Sequence, residues 1–245
     1  MFPMRDSVPS RSVPVVTRAL ILINVVVFFF ELALPQQALE EFFYLFGVVP
    51  ARFTHPDWAA AVGFPLDSYW PILTHQFLHG GWAHLLLNMW TLWIFGDNVE
   101  DRMGPVRFAF FYVACGALAG LTHLLTNSLS TVPSVGASGA IAGVLGAYLL
   151  LFPTARLVMM IPILFFPFFF EMPAFFYLVF WFLSQLFSGT LALTGPEQVG
   201  GIAWWAHVGG FVGGLLLCKL FVRPEPRRLQ PDEYSFEWAW EPREW

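Results

Sequence analysis

Charge is scarce in this chain. Of its 245 residues only 12% are Asp, Glu, Lys or Arg, against about 25% in soluble domains. Twelve basic side chains face 17 acidic ones, so no basic surface is available for nucleic acid. Cysteine is nearly absent. Cys115 and Cys218 both lie in apolar runs, and a disulfide framework is excluded on that ground. There are no internal repeats and no carboxylates at mid-membrane depth, which argues against a small transporter or channel. No HExxH pattern or cysteine ligand set occurs, so neither a metal nor a cofactor is expected. His75 and His79, spaced i, i+4, are read as interfacial structural residues. The first apolar run has no small-residue cleavage site and is expected to remain as a membrane span.

Apolar residues fill the space that charge leaves. They make up 57% of the chain, with 28 Phe and 11 Trp, as lipid-facing surfaces and interfacial belts require. Six helical spans are expected at 17–34, 82–98, 106–126, 138–153, 172–190 and 202–222, an all-α membrane bundle. Residues 157–171, interrupted by Pro162 and Pro167, are read as a membrane-embedded connection or an extension of the fifth span. With both termini in the cytoplasm, Arg52 is the single basic residue of the 12 that falls outside, a strong positive-inside bias. This predicts a cytoplasmic segment 1–16, a membrane domain 17–222 with a long external loop at 35–81, and a polar tail 223–245. Brevity and the lack of a targeting presequence lead to the expectation of a prokaryotic plasma membrane.

Polar groups inside hydrocarbon are costly and mark function. Three spans carry them near one depth. At 1.5 Å per residue, Ser138 lies about 27 Å from Arg156, His207 about 24 Å from Arg223, His84 about 24 Å from Glu100 and Asn88 about 18 Å from Glu100. All four fall below the outer surface of a core about 30 Å thick. The span that opens at Ser138 is too short to cross, so its N-terminus is expected to start beneath an irregular segment and to floor a water-filled cavity. Gly139, Gly143 and Gly146 line one face of it, and Gly210 and Gly214 share the face of His207. Such small-residue faces let helices approach closely in lipid.

A serine hydroxyl needs an adjacent base to become a nucleophile. His207 can be that base. Glu31, Glu171 and Glu197 fall at span ends or in loops, so the expectation is a Ser–His dyad whose imidazole is oriented by packing. The Ser138 amide, at a helix start, and the side chains of His84 and Asn88, at i and i+4, can donate to an oxyanion. Gly136-Ala137-Ser138-Gly139-Ala140 lacks the second glycine of the soluble nucleophile elbow, which disfavours an α/β-hydrolase.

His84-Leu85-Leu86-Leu87-Asn88, Glu100-Asp101-Arg102-Met103-Gly104, Gly136-Ala137-Ser138-Gly139 and Ala206-His207-Val208-Gly209-Gly210 with Gly214 follow one another along the chain. Over roughly residues 15–222 the chain resembles the rhomboid intramembrane serine proteases. The resemblance implies a six-helix core that cleaves transmembrane protein substrates near the outer boundary. It implies Ser138 as nucleophile, His207 as base, His84 and Asn88 at the oxyanion, and Gly136, Gly139, Gly210 and Gly214 as motif support. It further implies a cap at 188–201 and a lateral gate at Trp181 and Phe182. Two positions depart from the family pattern. Trp70-Pro71 stands where many members have Trp-Arg, and Ala142 stands where some place an aromatic ring against the base. The alternative is a non-catalytic relative that escorts membrane proteins. The oligomeric state is not encoded in any motif.

Overall fold

The computed structural model describes residues 2–65, 67–164, 166–194 and 202–223. The tail from Pro224, residues 195–201 of the expected cap, and Glu197 lie outside them. Strand β1 (Phe2–Asp6) is followed by helix α1 (Val15–Ala33). Four short helices come next, α2 (Gln36–Phe46), α3 (Pro50–Thr54), α4 (Pro56–Ala61) and α5 (Pro71–Thr74), ending in a 3₁₀ turn at His75–Phe77. Then come α6 (Trp82–Met103), α7 (Pro105–Thr126), α8 (Ser138–Leu151), strands β2 (Arg156–Ile163) and β3 (Phe166–Pro173), α9 (Ala174–Thr194) and α10 (Trp204–Phe221). Proline opens α3, α4, α5 and α7, where its missing N–H costs nothing.

Helices α7, α8 and α10 form the centre of the bundle, and glycine is the reason they fit. A Cβ on Gly210 would collide with the carbonyl of Gly139, and one on Gly214 with the carbonyl of Gly143. The two backbones therefore touch directly. Around this seam Phe108, Phe111, Tyr112, Tyr148 and Phe211 are buried, together with the free thiols Cys115 and Cys218. Large side chains are exposed on the outer helices, Leu22, Phe29 and Phe30 on α1 and Phe180 and Phe187 on α9, and on the outward face of α10, Leu216 and Leu220. Among the described residues four helices are long and apolar enough to cross a membrane, α1, α7, α9 as far as Leu193, and α10. Helix α6 ends in Asp97, Glu100, Asp101 and Arg102 and is more polar than these. Helix α8 has 14 residues, about 21 Å.

Those acidic residues have structural work at the start of α1. The carboxylate of Glu100, buried, accepts from the backbone N–H of Val16 at 2.9 Å and of Thr17 at 2.8 Å, and from the Thr17 hydroxyl. Asp101 accepts from the backbone N–H of Ser12 at 3.0 Å. Carboxylates at the positive end of a helix satisfy its orphan donors, so α6 caps α1. The connection between α1 and α6 also secures itself. Arg52 donates to the carbonyls of Leu45 and Pro65 and stacks over Phe64, so this cation is buried within its own loop. Val48 pairs with Ser134, which ties the loop to the segment preceding α8.

Two expectations are corrected here. The architecture is mostly helical but not all-α. Residues 157–171 are neither an embedded connection nor an extension of the fifth helix. They form a β2–β3 hairpin, in a three-stranded antiparallel sheet of order β1-β2-β3. Pro162 pairs with Pro167 near the hairpin end, so the two prolines that interrupt a helix instead sit opposite one another in register. The alternation that buries Leu157 and Met159 but not Val158 has period two, not 3.6. Strand β1 joins because Trp90 donates its indole N–H to the Pro3 carbonyl at 2.8 Å, and because Asp6 accepts from Asn98 at 2.7 Å and from the Tyr148 hydroxyl.

Candidate active site

Ser138 is the first residue of α8 and His207 lies in the first turn of α10. The glycine seam holds these two helix starts side by side. His207 Nε2 stands 2.7 Å from Ser138 Oγ, a hydrogen bond in which the hydroxyl donates when that nitrogen carries the lone pair. Both residues keep part of their surface accessible. The imidazole is not oriented by packing alone. Its Nδ1 lies 2.7 Å from Oε1 of Gln185, on α9, a residue that sequence reasoning missed. Gln185 is buried in a helix that carries no charged residue, where an amide is costly unless it has partners.

Aromatic rings enclose the other sides of His207. Trp181 is tilted against it with centroids 5.9 Å apart, and Trp204 meets it edge-on at 6.3 Å. Ala142, the position where an aromatic ring was the alternative, is buried against Gly210: a Cβ on that glycine would be 3.4 Å from the Ala142 methyl. No ring fits there. The ring that flanks the imidazole comes from α9 instead, and the same Trp181 and Phe182 pack on Phe211 of α10, 6.0 and 4.7 Å between centroids.

His84 and Asn88 are placed differently from each other. His84 lies beside Gly136, whose φ of +133° belongs to glycine. The position a Gly136 Cβ would take is 2.6 Å from His84 Nε2 and 3.6 Å from Ser138 Oγ, so the missing side chain is what lets the imidazole stand against the backbone beside the serine. Asn88 is buried with its amide nitrogen 3.1 Å from His79 Nε2, and makes no hydrogen bond to Ser138. His79 is thus a partner of the motif residue and not only an interfacial group. Its own backbone N–H donates to the Glu31 carboxylate at 3.2 Å. Burial, with the neighbouring His84 second, pulls the His79 imidazole down to about 3. His75 is fully enclosed. Its Nδ1 donates to the Pro71 carbonyl at 2.9 Å, and burial holds it down to about 4. Its own carbonyl accepts from Gly136 N–H at 2.9 Å, which fixes the chain just before the serine. Pro71 itself is buried at the start of α5, so the Trp70-Pro71 departure anchors the loop through a helix start. Gly139 packs on Ala119 of α7. Among the described residues no group of three or more His, Cys, Asp or Glu side chains is arranged to hold a metal.

A family model described as the Rhomboid domain matches residues 66–224, more than half of the chain. The chain belongs to the rhomboid family. Among rhomboid relatives it is 33% identical over 116 residues to YdcA, a provisionally named rhomboid protease of Bacillus subtilis, covering 46% of this chain and 58% of that protein. It is 31% identical over 167 residues to Rhomboid protein 1, mitochondrial, of Saccharomyces cerevisiae, covering 65% of this chain and 45% of that one. It is also 35% identical over 80 residues to Inactive RHOMBOID-like protein 8 of Arabidopsis thaliana, covering 33% and 22%. The chain thus spans less than two thirds of the length of each of these rhomboid relatives.

Proposed function

We propose that this rhomboid is an intramembrane serine endopeptidase that hydrolyses peptide bonds of transmembrane protein substrates. The observation that carries the reading is the 2.7 Å separation of His207 Nε2 and Ser138 Oγ. In this reading the hydroxyl attacks the scissile carbonyl while His207 takes its proton, then returns it to the departing amine; water, activated by the same imidazole, releases the acyl group. The oxyanion forms beside the Ser138 amide at the positive end of α8, with the His84 imidazole, which stands against Gly136, as a second donor. Asn88, held by His79, supplies a further donor.

Six spans, α1, α6, α7, α8, α9 and α10, form the membrane domain at 17–222. The short α8 starts below the outer surface, and both termini face the cytoplasm. Substrate enters laterally past Trp181 and Phe182. The presence of an inactive relative makes the escort reading the natural alternative.

A fluorophosphonate probe tests the reading on the purified full chain in detergent. Covalent labelling is expected for the parent and absent for Ser138→Ala and His207→Ala. A folded parent that takes no label would favour the escort reading.

A further inference from the structure

We propose that Gln185 is a positioning residue for His207, taking through a neutral amide the place that a carboxylate holds in a three-membered serine hydrolase site. The proposal rests on the protease reading above. Gln185 Oε1 lies 2.7 Å from His207 Nδ1, and the opposite nitrogen of the ring is the one that faces Ser138. The two contacts are coupled by the chemistry of a neutral imidazole, which carries one N–H and one lone pair. An amide oxygen only accepts, so it selects the tautomer with hydrogen on Nδ1. That leaves the lone pair on Nε2, where the serine proton must go.

The amide is itself fixed in the sense required. Gln185 Nε2 donates to the Trp181 carbonyl at 3.3 Å and to Ser184 Oγ at 3.0 Å, and Ser184 in turn donates to the same carbonyl at 2.6 Å. A reversed amide would set its oxygen against the Trp181 carbonyl, two acceptors facing, so it is this carbonyl that turns the amide oxygen toward Nδ1. One turn of α9 therefore holds both the oxygen that orients the ring and, through Trp181, the aromatic face that lies along it. Gln185 is buried, so water does not compete for the contact.

The chemical consequence differs from that of a carboxylate. An amide oxygen does not take up the Nδ1 proton, so the proton abstracted from Ser138 stays on Nε2 and its exit is to the departing amine. The developing imidazolium gains a dipole and not a full charge. A group acting through orientation changes turnover more than substrate binding.

The test compares the parent with Gln185→Leu, which keeps the shape and removes the acceptor, and Gln185→Glu, which keeps an acceptor oxygen. Turnover is measured on a model transmembrane substrate, fluorophosphonate labelling is timed, and histidine ¹⁵N spectra report the ring tautomer, with His207→Ala identifying the resonance. Gln185→Leu is expected to lower kcat by about tenfold or more, as loss of one hydrogen bond in a reacting assembly does, with KM unchanged. It should slow labelling equally and release His207 into a mixture of tautomers. Gln185→Glu should restore most of kcat. A labelled parent whose Gln185→Leu variant is labelled as fast, or a parent His207 with hydrogen on Nε2, overturns this proposal alone. An unlabelled parent overturns the protease reading and this proposal with it. If Gln185→Leu does not fold, the tautomer of the parent and the activity of Gln185→Glu decide the matter.

Discussion

The imidazole of His84 occupies the side of Gly136 on which a side chain would stand, with Nε2 2.6 Å from the Cβ position. Two costs converge on Gly136→Ala. The backbone at φ +133° strains any other residue by about 1–3 kcal/mol. The new methyl would also collide with the His84 imidazole and push it away from Ser138. Turnover should fall by at least about 10²-fold, as when an oxyanion donor is lost. Initial rates on a model substrate check this, and a folded variant with parental turnover would show that the placement of His84 does not matter to turnover.

Asn88→Ala should lower turnover by about 10²-fold. Because Asn88 also holds His79, the variant is to be compared with His79→Ala, which keeps the donor but loosens it and is expected to cost less. Equal turnover of parent and Asn88→Ala would leave Asn88 as an anchor for His79.

The glycine seam predicts a contrast between neighbours. A methyl on Gly214 meets the Gly143 backbone, which cannot yield without separating α8 from α10. A methyl on Gly213 meets the end of the Leu118 side chain, 2.9 Å away, which can rotate. Gly214→Ala should therefore destabilise by about 1–3 kcal/mol in detergent unfolding, and Gly213→Ala by clearly less. Equal effects would contradict direct backbone contact.

Stability should fall with acid through His75. Its folded-state value of about 4 lies below the ordinary 6.5 because burial opposes the charge. The unfolded chain therefore binds the extra proton first. The contribution is fully present above pH 6.5 and is lost as pH falls toward 4, on the order of 3 kcal/mol. In His75→Gln the slope of stability against pH over that interval should flatten; an unchanged slope would assign it to other groups.

Orientation is checked by a reporter fused after Trp245. It should be active only in the cytoplasm, and activity on the outer side would reverse the whole arrangement.

What could be read from the chain followed from periodicity and cost. The positions of α1, α7, α9 and α10 were legible because apolar helical runs have few alternatives in lipid. The contact between Ser138 and His207 was legible because polar groups there are expensive, and two glycine-lined helices can approach closely enough to bring them together. The hairpin was not, because a run such as Leu157–Phe170 is apolar throughout, and a buried strand and a buried helix then look alike. Gln185 was overlooked for another reason. The search for a third member looked for acids, whereas the group that meets Nδ1 is an uncharged amide. The role of His79 depends on a fold-back of the loop that no local pattern contains.

The pairing of Phe2 with Met160 sets an order of events during synthesis. Strand β1 is made before α1, yet its partner β2 is made only after α8. Strand β1 must wait without β2 while α1, α6, α7 and α8 are made. Residues 2–6 are then secured late, and a bulky group that blocks their pairing with β2 would be felt as a late assembly defect, after the helices themselves have formed.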